Sequence, residues 1–221
     1  MKQVLRSLKL VSLALTVAVL AGCAATQTTP YDYSAFEKSK PRSIVVIPPL
    51  NNSIEVNAPY IYLSTVSRGL AEKGYYVFPV AVIDRFLKEN GLPGPAEMNN
   101  IPLEKIDQHI GADAVLYVTI EDWGQKYQVV SSAAVVKAKL RLVDVKTGEQ
   151  LWDASAQAIH NTDNSGNGIA GMLIGALVSQ VVGSIADVTP ELSAQANAIA
   201  FNSDQKGLLN GPYYVEPDQR K

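Results

Sequence analysis

The stretch AVVKAKLRLVDVKTGEQLWDASAQA, Ala134 to Ala158, decides the fold. Val136, Ala138, Leu140 and Leu142 alternate with Lys137, Lys139 and Arg141, the period-two pattern of an antiparallel strand with one wet face. Lys146-Thr147-Gly148-Glu149 supplies a hairpin turn, with Gly148 free to take a positive φ. Leu151 to Ala158 then returns, placing Trp152 on the face of Ala154 and Ala156.

Working back from this hairpin, Ala114 to Ile120 reads as an apolar strand and Ser43 to Ile47 as a buried β-branched strand stopped by Pro48-Pro49. Between them, Leu63, Val66 and Leu70 mark a helix from Pro59 that stops at Gly74. Tyr75 to Val80 reads as a strand, and Ala81 to Asn90 as a helix on Val82, Ile83, Phe86 and Leu87. Asn90 to Pro102 is a loop, and Leu103 to Ile110 a short helix. Two βα units followed by an antiparallel meander and C-terminal helices give an α/β (α+β) two-layer sandwich with a mixed sheet.

The N-terminus sets the compartment. Lys2, Arg6 and Lys9 precede the apolar run Val11 to Leu20, which is too short for a comfortable membrane span but has the plan of a secretory signal. It ends Leu20-Ala21-Gly22-Cys23, a pattern that resembles the bacterial lipobox. Residues 1–22 are therefore expected to be a signal peptide and Cys23 the lipidated residue. It is also the chain's only cysteine, so no internal disulfide can form. Lipobox sorting, with alanines after the cysteine rather than aspartate, implies an outer-membrane lipoprotein facing the periplasm. Residues 23–41 are polar and read as a tether, 42–201 as the domain and 202–221 as a tail in which Tyr213 and Tyr214 either staple the tail back or dock on a partner.

The whole chain of 221 residues carries 19 basic and 21 acidic side chains; loss of the signal leaves a formal charge of about −5. Without a Lys/Arg cluster, nucleic acid is not an expected partner. No G-x-S-x-G elbow is present, and His109 and His160 lack the neighbours that catalysis or a metal requires; His160 falls in what reads as a polar loop. No catalytic residue, metal or cofactor is expected. The Lys137/Lys139/Arg141 stripe reads as a solvated sheet face.

"SIVVIPPLNNS", "GADAVLYVTIEDWG" and "LRLVDVKTGEQLWDA" together resemble bacterial outer-membrane lipoproteins with a TolB-N-terminal-like domain, distant relatives of the curli secretion lipoprotein CsgG. The resemblance spans roughly Arg42 to Tyr214. It implies envelope assembly or export work, lipid anchoring and self-association, and offers no catalytic residues.

One stretch stands apart. In GNGIAGMLIGALVSQVVG, Gly166 to Gly183, a G-x-G-x-x-G appears without the strand that a dinucleotide-binding turn needs in front of it. As a membrane span it is interrupted by glycines and by Ser179-Gln180, and it would stop in the wrong membrane. Its spacing fits a packing helix best: Gly168, Gly171, Gly175 and Ser179 form one smooth face, expected to meet a second subunit, most simply across a two-fold axis. The functional expectation is a non-enzymatic, oligomeric envelope component. A CsgG-like secretion pore subunit and a lipoprotein activator of a cell-wall enzyme are the alternatives.

Overall fold

The computed structural model describes residues 30–127, 132–161 and 188–216. The signal, Cys23 and the Gly168–Ser179 face lie outside the described residues. Six strands form one sheet: β1 (Ser43–Val46), β2 (Leu50–Asn51), β3 (Tyr76–Val77), β4 (Ala114–Tyr127), β5 (Ser132–Asp144) and β6 (Gln150–Asn161). The order is β3-β1-β4-β5-β6, with β2 also beside β4. β1 pairs in parallel with β3 and β4, whereas β4, β5 and β6 form the antiparallel meander. The α/β class and mixed sheet are as the sequence pattern implies.

β1 is central because both of its faces are apolar. Ile44 and Val46 join one core, Val45 and Ile47 another. The first core lies under helices α2 (Ala58–Glu72) and α6 (Thr189–Phe201), which pack beside each other. The second lies under α3 (Val80–Glu89), α4 (Pro95–Met98) and α5 (Leu103–His109). The parallel end of the sheet is therefore covered on both faces. Continuous apolar runs in β1 and at the start of β4 are the cause, since a strand buried on both sides shows no alternation.

Several boundaries differ from the sequence expectation. The strand expected over 75–80 shrinks to two residues because Pro79 caps α3. Val82 is exposed rather than core. β4 runs seven residues past Ile120, through a register shift between Ile120 and Asp122. That bulge lets Ile120 and Trp123 face the same core although they stand three positions apart, which in a regular strand would put them on opposite faces. His160 belongs to β6, opposite Ala134, and not to a loop.

Two carboxylates fix the strand starts and turns. Asp113 accepts the Arg42 and Ser43 N–H groups and the Ser43 hydroxyl, clamping β1 to β4. Asp144 accepts the Lys146 and Thr147 N–H groups and the Ser39 and Thr147 hydroxyls. Partial burial pushes both acids up, but these donors outweigh it and hold both below the usual carboxylate range. A depressed folded value stabilises the fold above the unfolded value near ~3.9, and that stability is lost as pH falls through the folded values. Thermal melts taken downward from pH 5 are expected to show falling Tm below about pH 4, and Asp113→Asn with Asp144→Asn to flatten that limb.

Candidate interaction surface

Of the residues expected to carry function, Cys23 and the glycine face lie outside the described residues, and Tyr213 and Tyr214 fall within them. The backbone of these two tyrosines forms part of a strap. After α6, the chain returns across one flank of the domain and three buried or half-buried aromatic residues hold it by its carbonyls. Trp152 Nε1 donates to the Lys206 carbonyl (2.9 Å), the Tyr33 hydroxyl to Gly207 (2.5 Å) and the Tyr75 hydroxyl to Leu209 (2.5 Å). Leu208 is buried between these bonds. The Gly211 N–H donates to Lys73 and the Tyr213 N–H to Gly74, so the strap ends against the C-terminus of α2. The Tyr213 ring itself remains 61% exposed, while Tyr214 is half-buried.

The N-terminal side of the fold joins the same flank. Residues 34–39 form a short helix, α1 (Ser34–Ser39), with Phe36 in the core, and Tyr31 and Tyr33 stack edge-on at 4.8 Å. The Tyr31 hydroxyl donates to Asp153 Oδ1 and accepts the Asp153 N–H. Lys206 Nζ sits 2.6 Å from Asp153 Oδ2 and 4.6 Å from the Tyr31 ring centroid. Partial burial, then the Asp153 carboxylate, push the Tyr31 phenol up to about 12. The expected tether 23–41 is thus folded from Tyr31 onward, and the expected tail 202–221 is folded as far as Tyr214. Polar composition hid both segments. The aromatic density of YDYSAF, Tyr31 to Phe36, was the readable signal.

At the opposite end of α2 is a second feature that sequence reasoning missed. Residues 51–57, NNSIEVN, form a loop closed by its own polar groups. The Asn51 side chain donates to the Glu55 carbonyl (2.8 Å) and accepts both the Ser53 N–H and the Ser53 hydroxyl. Ser53 Oγ accepts the Glu55 N–H, and the Glu55 carboxylate accepts the Asn57 N–H. The Asn52 N–H ties the loop to the Ile120 carbonyl of β4. This braced loop holds Ile54 95% exposed and Val56 78% exposed, with Tyr60 of α2 also exposed. Leaving such a side chain in water forgoes about 1.5–3 kcal/mol of burial. Single exposed aliphatics are ordinary, but two on one internally bonded loop form a ready contact surface.

The basic stripe is satisfied within the chain. Glu121, displaced by the β4 bulge, pairs with Lys137 at 3.1 Å and with Lys139 more closely still. Hydrogen bonds from Lys139 and then Lys137 hold its carboxyl below the usual range. The Arg141 guanidinium lies over the Tyr117 ring at 4.8 Å. His109 lies in the last turn of α5. Among the described residues, no group of three or more His, Cys, Asp or Glu side chains could hold a metal ion, and no helix is long and apolar enough to cross a membrane.

A lipoprotein of Neisseria meningitidis serogroup B is 40% identical over 204 residues, covering 90% of this chain and 94% of its own. The crystal structure of lipoprotein GNA1162 from Neisseria meningitidis is 43% identical, with a TM-score of 0.54; the match covers 65% of this chain and all of that one. A fainter likeness, 16% identical with a TM-score of 0.43, is to the PelC dodecamer from Paraburkholderia phytofirmans, covering 83% of this chain and 95% of that one. The model of the family described as "Putative lipoprotein GNA1162-like" matches residues 31–213, from the tyrosine held by Asp153 to near the end of the strap. The chain belongs to the GNA1162-like lipoprotein family.

Proposed function

We propose that this lipoprotein is a non-enzymatic adaptor of the cell envelope, anchored to the outer membrane through lipid on Cys23 and facing the periplasm. It associates with itself and holds a second envelope protein. The braced 51–57 loop carries the reading: a loop that turns its polar groups to its own rigidity, and holds Ile54 and Val56 in water, presents a preorganised apolar anchor. Tyr213 offers a further contact at the other end of α2. The glycine face at Gly168, Gly171, Gly175 and Ser179 remains a proposed subunit contact, supported by its spacing.

An activator of a cell-wall enzyme would use the same loop, and the identity of the captured partner separates that case from an assembly or export role. A pore would need free strands of about 9–11 alternating residues. β4 and β5 are paired with each other over their described lengths, and β5 also with β6, which weighs against it.

Two measurements test the proposal. Radiolabelled palmitate should enter the protein and fail to enter Cys23→Ala. In-cell crosslinking followed by pull-down should recover one partner, and Ile54→Glu with Val56→Glu should weaken its capture at least tenfold (about 1.4 kcal/mol) without lowering Tm. Equal capture by that variant would remove the loop from the proposal.

A further inference from the structure

β6 is the outer strand of the meander, and among the described residues no strand pairs with its outer edge. Its register against β5 is unbroken from Trp152 to Asn161. The Asp153 N–H points outward, because it donates to the Tyr31 hydroxyl and not to β5. Antiparallel pairing alternates this direction strictly, so Ser155, Gln157 and Ile159 also turn their backbone N–H and C=O groups outward. Tyr31 covers the first outward residue, and among the described residues those three have no strand beside them.

Natural sheets blunt such an edge with lysine, proline, a bulge or a short strand. From Ala154 to Ile159 the sequence ASAQAI has no charge and no proline, and the strand is neither short nor bulged there. Beside the edge, Ile199 of α6 is exposed and lines one groove with Ala154 and Ser155.

We infer that the open part of β6 pairs antiparallel with β6 of a second copy, about a two-fold axis at Gln157. This rests on the self-association in the reading above and gives it a contact separate from the glycine face. The register is self-complementary. Gln157 meets its own copy, and Ser155 meets Ile159 of the second copy, so every open outward residue pairs with another. No like charges come together, and the small Ala156 and Ala158 face each other on the helix side. The single acidic residue of β6, Asp153, is already held by Tyr31 and Lys206.

The test uses the full-length protein extracted in detergent. Sedimentation should show a dimer at tens of micromolar, and Gln157→Lys, which sets two ammonium groups face to face, should weaken dimerisation at least tenfold with an unchanged circular-dichroism melt. Among the described residues the exposed Gln157 side chain and its edge-directed N–H have no partner, so the fold should tolerate the change. Gln157→Cys, independent of that assumption, should give a disulfide-linked dimer under mild oxidation, while the parent and Glu149→Cys should not. A Gln157→Lys variant that stays dimeric, or a Gln157→Cys variant that forms no crosslink, overturns the edge contact and leaves self-association standing. A monomeric parent overturns both and points to an extended segment of another protein as the strand that edge accepts.

Discussion

Trp152→Ala is expected to lower stability by about 3–5 kcal/mol. Trp152 has no solvent exposure and lies 5.8 Å, ring to ring, from Phe201 at the end of α6. Its removal opens a cavity where strand, helix and strap meet, and it frees the Lys206 carbonyl that its indole N–H engages. A domain of this size has roughly 5–15 kcal/mol in total, so the variant should sit close to its unfolding threshold. Tm should fall by about 10 °C, at about 2–4 °C per kcal/mol. Trp152→Phe separates the two terms: it keeps most of the packing and loses the hydrogen bond, so its cost should be closer to about 1 kcal/mol. Urea melts of the three proteins check this. Equal losses for both variants would mean that the strap bond, not the packing, dominates.

Gly74→Ala should be nearly as damaging, for a different reason. Gly74 has a φ of +84°, and a Cβ placed there would run into the backbone nitrogen of Tyr214. The left-handed conformation alone costs an L-residue roughly 1–2 kcal/mol. The clash is with backbone, so no rotamer can relieve it; the strap must lift or the end of α2 must unwind, adding about 1–3 kcal/mol. Gly91 supplies the control. Its φ is +85°, and a Cβ there meets nothing within 4 Å. Gly91→Ala should show only the conformational cost. The excess of Gly74→Ala over Gly91→Ala then measures the strap contact, and limited proteolysis should cut the Gly74→Ala chain near residues 203–214 first.

How much of this was written legibly in the sequence depends on whether a signal was local. The hairpin of β5 and β6 and the face carrying Leu63, Val66 and Leu70 were readable, because alternation and helical spacing are properties of a few consecutive residues. Gly148, at a φ of +73°, turns the hairpin as its position suggests. The strap was not readable. Trp152, Tyr33 and Tyr75 bind carbonyls of residues 206–209, more than fifty positions from each of them, and a carbonyl leaves no mark in a sequence. The bulge near Glu121 was hidden for a related reason. EDWG reads as a polar stop after an apolar strand, and only the packed sheet shows that one extra residue turns Trp123 inward. The 51–57 loop was partly legible. Asn and Ser are turn formers, but that they would brace the loop and strand two aliphatic side chains in water is a matter of three-dimensional closure.

The pinning of Tyr31 to Asp153 also sets a leash. If Cys23 carries the lipid, the first fixed point of the fold is eight Cα-to-Cα steps from the anchor, whatever course the chain takes. An extended chain spans at most about 3.3–3.6 Å per residue, so the leash can reach no more than roughly 28 Å. A tether running to residue 41 would have reached more than twice as far. With that lipid in place, the domain would be a resident of the membrane surface rather than a probe of the space beyond it. Its copies would then diffuse in a thin layer, where encounters between them are far more frequent than at the same number in free volume, and any partner would have to come to the membrane to be met.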